Sequence, residues 1–178
     1  MTFLLIHGAW HGAWCYGKFI SVLESRGENA VAIDLPGHEA GGKPGWGISM
    51  DDYASAVCDA ASKIDGPVHL VGHSMGGLVV STAAEKMPEA FTSLTYLAAF
   101  LVNNENLLGQ SPKMKESKLS KGLKSHPFSG YVTVKQGYAQ DSFYNCCADE
   151  EATNAETCLL YTSPSPRDAT LSRMPSSA

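Results

Sequence analysis

The string Gly72-His73-Ser74-Met75-Gly76-Gly77 constrains this chain more than any other feature. Before it stands Val68-His69-Leu70-Val71, a short apolar run that reads as a strand. After it stands Leu78-Val79-Val80-Ser81-Thr82-Ala83-Ala84-Glu85-Lys86, which reads as a buried helix. Strand, G-x-S-x-G and helix in that order make a sharp turn that lifts a serine hydroxyl out at a helix N-terminus. The positions two before and two after the serine have to be nearly free of side chain, and Gly72 and Gly76 meet that need. The helix N-terminus favours negative charge developing at the serine. Ser74 is therefore the expected nucleophile, with His73 packing behind the turn.

A second feature sits at the start of the chain. Thr2-Phe3-Leu4-Leu5-Ile6 reads as a strand and runs straight into His7-Gly8-Ala9-Trp10-His11-Gly12-Ala13-Trp14. A His-Gly loop after an early strand is where this kind of turn finds one backbone donor for an oxyanion, the other being the amide after the nucleophile. Those donors are expected to be the N–H groups of Ala9 and Met75. His7 and His11 read as braces of the loop rather than reacting groups, Gly8 as part of it, and Trp10 and Trp14 as pocket wall and core.

With these residues in view, the chain resembles the α/β-hydrolases, and within them the branch of plant methylesterases, hydroxynitrile lyases and small bacterial esterases. The resemblance is carried by residues 3–14, by Ala32-Ile33-Asp34-Leu35-Pro36-Gly37-His38, by 71–77 and by Tyr96-Leu97-Ala98-Ala99-Phe100-Leu101, with a weaker likeness over 143–152 to a cap helix and turn. It implies an α/β fold: part of a doubly wound, mostly parallel sheet with a partial cap insertion. It also implies a serine hydrolase acting on a small-molecule carboxylic ester through an acyl-enzyme, with no cofactor. The alternatives are a lyase of the hydroxynitrile type and a hydrolase scaffold that only binds a small ligand.

The rest of the chain is consistent with that expectation. Residues 1–100 alternate strands and helices: a helix near Tyr16–Arg26 with Phe19, Ile20 and Leu23 on one face, a strand at Ala30–Asp34, and a helix started by Ser49 with Asp52. That helix has Tyr53, Val57, Ala61 and Ile64 on its buried face. Leu94–Ala99 reads as a fourth buried strand. Residues 101–158 form the partial cap, with helix potential near Lys113–Leu123, a strand at Tyr131–Val134, and helices near Asp141–Cys147 and Asp149–Cys158 capped by the two aspartates. Residues 159–178, rich in Ser and Pro, read as a disordered tail resembling non-native read-through.

Composition narrows the function classes. The 178 residues are 44% hydrophobic and 17% charged, with a net charge of −5 and no basic cluster, which argues against nucleic acid or an anionic membrane as partner. No apolar run approaches the roughly 18 residues of a membrane span, and no N-terminal segment reads as a secretory signal, so a cytoplasmic location is expected. Five cysteines without a C-x-x-C pair predict neither a disulfide framework nor a metal site; Cys146-Cys147 reads as semi-buried packing. His38 reads as a loop residue, His69 as a satisfied core histidine and Asp34 as structural.

A nucleophilic serine needs a histidine to take its proton and an acid to orient that histidine. In this architecture the order is Ser, acid, His. After Ser74 the one histidine is His126, and Glu85, Glu89, Glu105 and Glu116 lie between. None follows a sheet strand as the architecture requires, and His126 reads as a surface loop residue. The catalytic acid and base are expected to be absent from this chain, which as given is expected to be inactive and loosely folded or aggregated. The open edge beside Leu94–Ala99 and an elbow helix short of partners are the reasons for the latter.

Overall fold

The computed structural model describes residues 1–38, 47–101, 117–126, 131–135, 137–159 and 162–164. Strand β1 (Thr2–Ile6), helix α1 (Gly17–Ser25), β2 (Asn29–Ile33), α2 (Met50–Ala61), β3 (Val68–His73), α3 (Gly76–Lys86) and β4 (Phe91–Leu97) follow one another in the first half. The four strands form one sheet in the order β2-β1-β3-β4, and every adjacent pair is parallel.

Strand alternation sends side chains to two opposite faces. Leu4, Ile6, Val68 and Leu70 enter the main core with Tyr53, Ala54 and Val57 of α2 and Leu78, Val79 and Val80 of α3. Leu5 and Val71 pack on the other face with Tyr16, and Ile20 of α1 lies against them. The strand order changes direction at β1: from β1 the chain steps to β2 on one side, then crosses over to β3 on the other, all strands staying parallel. In an open α/β sheet that reversal opens a crevice at the carboxyl ends of the strands. The His7–Trp14 loop leaves β1 there and the Ser74 turn leaves β3 there.

The start of α2 is built as the sequence predicts. Ser49 accepts from the Asp52 amide and Asp52 accepts from the Ser49 amide, closing a capping box. Asp51 adds an ion pair to Lys86 at 2.6 Å. The helix stops at Ala61, so Ile64 packs on the core from beyond its end.

Several expectations are corrected. The fourth strand lies at an open sheet edge among the described residues, as the sequence predicts, but it is not buried: Leu94 is 37% and Leu97 47% exposed. The elbow helix is not short of partners: it buries Leu78, Val79, Val80 and Ala83. On α1 no residue is fully buried, and Phe19 is exposed.

The second half makes a smaller layer of α4 (Lys118–Gly122), β5 (Leu123–His126), β6 (Tyr131–Val134), α5 (Ala139–Phe143), α6 (Asp149–Cys158) and β7 (Thr162–Pro164). Its strands are antiparallel in the order β5-β6-β7. Three residues of the segment read as a disordered tail therefore pair as a strand; the remainder after 164 lies outside the described residues, as do residues 113–116 of the expected cap helix. His126 is a half-buried strand residue, not a loop residue, with Nε2 3.1 Å from Thr133 Oγ1 and its ring stacked on Tyr131. Asp141 and Asp149 sit within the first turns of α5 and α6, whose N-caps are Tyr138 and Ala148. Cys146 and Cys147 are exposed rather than semi-buried.

Candidate active site

Ser74 has φ 53°, a left-handed conformation that a non-glycine residue adopts only when its surroundings hold it there. What holds it is close packing from both ends of the turn. A methyl at Gly72 would lie 2.5 Å from the Gly76 carbonyl oxygen, and one at Gly76 would lie 2.6 Å from Ile6 O and 2.9 Å from His7 O. Gly77 presses on the Phe100 carbonyl in the same way. The Ser74 carbonyl accepts from Gly77 N–H at 3.1 Å and Phe100 N–H at 3.0 Å. Met75 is the N-cap of α3, so its amide is at the helix N-terminus beside the serine.

The loop after β1 crosses directly over this turn. A methyl at Gly8 would be 2.9 Å from Ser74 Cβ and 3.3 Å from His73 Nδ1. Gly8 is thus brought against Ser74 from a segment about 65 residues earlier in the chain. Ser74, Met75, His73 and Ala9 are half-buried.

His7 is fully buried. Its Nδ1–H donates to Gly8 O at 2.8 Å, and its Nε2 accepts from Leu35 N–H at 3.0 Å. Burial, with His38 beside it, pushes its pKa down to about 3, so the ring is neutral. His11 is also buried; its Nδ1–H donates to Ala9 O at 2.9 Å, its Nε2 lies 3.0 Å from the Tyr144 hydroxyl, and burial lowers its pKa. Burial lowers His73 likewise. Asp34 Oδ1 accepts from Ala13 N–H at 2.6 Å, tying the far end of the loop to the end of β2.

Trp10 has φ 64° and is buried in the second-layer cluster with Val134, Ala139 and Tyr144; its Nε1–H donates to Val132 O at 3.0 Å. Trp14 is 36% exposed, stacked on His11, and so is not core as expected. His38 is a loop residue, as the sequence predicts, and its side chain is buried, with its ring 5.0 Å from His7 and edge-on to Tyr53 at 5.7 Å. His69 is half-buried on Ser93 Oγ at 2.8 Å.

Among the described residues nothing hydrogen-bonds the Ser74 hydroxyl: His126 is engaged with Thr133, and Glu85 and Glu89 make no bond to Ser74. Glu105 and Glu116 lie outside the described residues. No group of three or more His, Cys, Asp or Glu converges among the described residues. A surface cavity of about 500 Å³ is lined by Pro36, Gly47, Ile48, Asp52, Ser55, Ala56 and Asp59 of the α2 flank, and Ser74 does not border it. No helix of the described residues is long and apolar enough to cross a membrane.

Two participants went unforeseen. Tyr144 reaches His11 across 133 positions of chain, and no local pattern signals that contact. Leu35 contributes through its backbone amide, which carries no side-chain signature at all.

Comparison with known proteins shows the family. A model of the Alpha/beta hydrolase family matches residues 3–169. A carbendazim hydrolyzing esterase of Nocardioides sp. is 34% identical over 119 residues, 63% of this chain and 48% of the relative. Methylesterase 18 of Arabidopsis thaliana is 30% identical over 176 residues, 88% of this chain and 66% of the relative. The chain thus spans between about half and two thirds of these relatives' length. The crystal structure of a pyrethroid hydrolase from Sphingobium faniae JZ-2 superposes with TM-score 0.77 at 25% identity, covering 97% of this chain and 70% of that one.

Proposed function

Because this chain belongs to the alpha/beta hydrolase family, we propose that it is the nucleophile-bearing part of a serine hydrolase that cleaves small-molecule carboxylic esters. Ser74 Oγ attacks the ester carbonyl carbon, and its proton passes to a histidine base. The carbonyl oxygen becomes an oxyanion held by the N–H groups of Ala9 and Met75. The C–O bond to the alcohol breaks, the protonated base returns its proton to the departing alcohol, and water then releases the acid from the acyl-enzyme. Among the described residues no histidine hydrogen-bonds Ser74, His126 being engaged with Thr133; the family pattern sets the base and its orienting acid downstream of residue 158. His7, Gly8, Trp10 and His11 support the loop, and Gly72, His73 and Gly76 the turn.

One observation carries this reading: Ser74 is held at φ 53° between β3 and α3, with Gly8 of the loop after β1 set against its Cβ. Esterase and methylesterase names among the relatives support the ester class. The test measures turnover of aryl esters and of cyanohydrins by the complete enzyme and its Ser74→Ala variant. Ester turnover that falls by about a thousandfold or more in the variant is the expected result. Ester turnover untouched by the substitution would end the reading, and cyanohydrin cleavage without ester hydrolysis would replace it with the lyase.

A further inference from the structure

Ala9 lies between two peptide planes, and the carbonyl of each is held by an imidazole. His7 Nδ1 is 2.8 Å from Gly8 O, and His11 Nδ1 is 2.9 Å from Ala9 O. A carbonyl only accepts, so both Nδ1 atoms carry the proton. In a neutral ring Nε2 is then an acceptor, and each has a donor at 3.0 Å. For His7 it is the Leu35 amide, at the end of β2 in the core; for His11 it is the hydroxyl of Tyr144, just after α5 in the second layer.

The Gly8 carbonyl and the Ala9 N–H belong to one rigid plane, so fixing the first aims the second. Holding the Ala9 carbonyl fixes the next plane, and with both planes fixed neither backbone torsion of Ala9 is free. One half of this clamp is tied to the core and the other to the second layer. The same loop makes further ties across that boundary: Trp10 Nε1–H reaches Val132 O at 3.0 Å, and Phe143 meets His11 edge-on at 5.3 Å.

We infer that Tyr144 is a positioning residue: it holds His11, whose ring fixes the Ala9 carbonyl and whose backbone N–H also donates to Gly8 O at 3.4 Å, and so steadies the Ala9 amide that His7 aims, coupling the seating of the second layer to oxyanion stabilisation. The inference rests on the hydrolase reading of Ala9. It places part of substrate selection in kcat, because a substrate that seats this layer well sharpens a donor used in the transition state.

The test uses the complete enzyme with an aryl ester. Tyr144→Phe is expected to lower kcat by roughly tenfold, a fraction of the ~10²–10³ lost when an oxyanion donor is removed, with KM within about twofold and little change in Tm. An asparagine at 11 keeps an N–H near the Nδ1 position, whereas a glutamine places its amide near Nε2. His11→Asn is therefore expected to retain more kcat than His11→Gln, and adding Tyr144→Phe to His11→Asn is expected to cost nothing further. Wild-type kcat in Tyr144→Phe, equal loss in the two His11 variants, or kcat falling only in step with Tm would overturn the inference. Should Tyr144→Phe fail to fold, the His11 pair still decides. If Ser74→Ala keeps its turnover, the hydrolase reading fails instead, whatever Tyr144 does.

Discussion

Replacing Gly76 with alanine puts the packing of the turn to a quantitative test. The new methyl would stand 2.6 Å from Ile6 O and 2.9 Å from His7 O, while ordinary contact begins at 3.4 Å. The shortfall of about 0.8 Å has to come from backbone on both sides, since neither opposing atom is the end of a flexible side chain. Overpacking a tight site costs about 1–3 kcal/mol, and two backbone clashes place this one at the upper end, about 3 kcal/mol or a hundredfold in the folding constant. Gly17 is the matched control: it opens α1 with φ −51° and ψ −50°, and a methyl there meets nothing within 4 Å. Gly17→Ala is expected to stabilise by about 0.4–1 kcal/mol through the unfolded state. Urea denaturation of the complete protein measures both: with m near 2 kcal/mol/M the Gly76→Ala midpoint drops by roughly 1.5 M and the Gly17→Ala midpoint rises. Equal midpoints for the two variants would refute the reasoning, because they would mean that the elbow is not pressed against the end of β1.

The remaining predictions concern pH, capping and the isolated chain. His7 is neutral in the fold with its pKa near 3, against an ordinary histidine value of 6.5, so the unfolded chain takes up the proton first. Stability is then complete above about pH 6.5 and falls toward pH 3, by up to tenfold in folding constant per pH unit, with His11 and His73 shifted the same way; a urea midpoint that is unchanged or higher at pH 5 than at pH 7 contradicts this. Ser49→Ala removes the side-chain acceptor for the Asp52 amide and is expected to cost about 1 kcal/mol by the same assay, whereas no loss would show that the box contributes nothing. Residues 1–178 expressed alone are expected to bind a hydrophobic dye, melt without a sharp transition and hydrolyse no ester, since Leu94 and Leu97 of β4 stand exposed. A single cooperative melt accompanied by Ser74-dependent turnover is the contrary result.

What could be read from the residues was whatever depends on neighbours in the chain. The Ser74 turn is legible because its glycines are demanded at fixed offsets, and the start of α2 because Ser49 and Asp52 form a local pair. Burial of β4 was not legible: Leu94 and Leu97 have the apolar character of a central strand, but exposure is decided by what lies beside them. His38 follows a Pro-Gly turn and is a loop residue as its neighbours predict, but its burial against His7 and Tyr53 depends on packing that no local pattern signals. The cap aspartates were misplaced by one to three residues because first-turn carboxylates and N-caps share the same preference for a helix N-terminus. Tyr144 could not be found at all, since its partner is distant in sequence and an aromatic residue near a helix end is ordinary core material.

Treatment of the complete enzyme with an alkyl phosphonate ester, followed by peptide mass spectrometry, bears most directly on Ser74 as the presented nucleophile. A single phosphonyl adduct on the peptide containing Ser74, formed in step with loss of ester turnover and absent from Ser74→Ala, is the result the fold predicts. Stoichiometric inactivation with the adduct on another residue, or full labelling of Ser74→Ala, would contradict it.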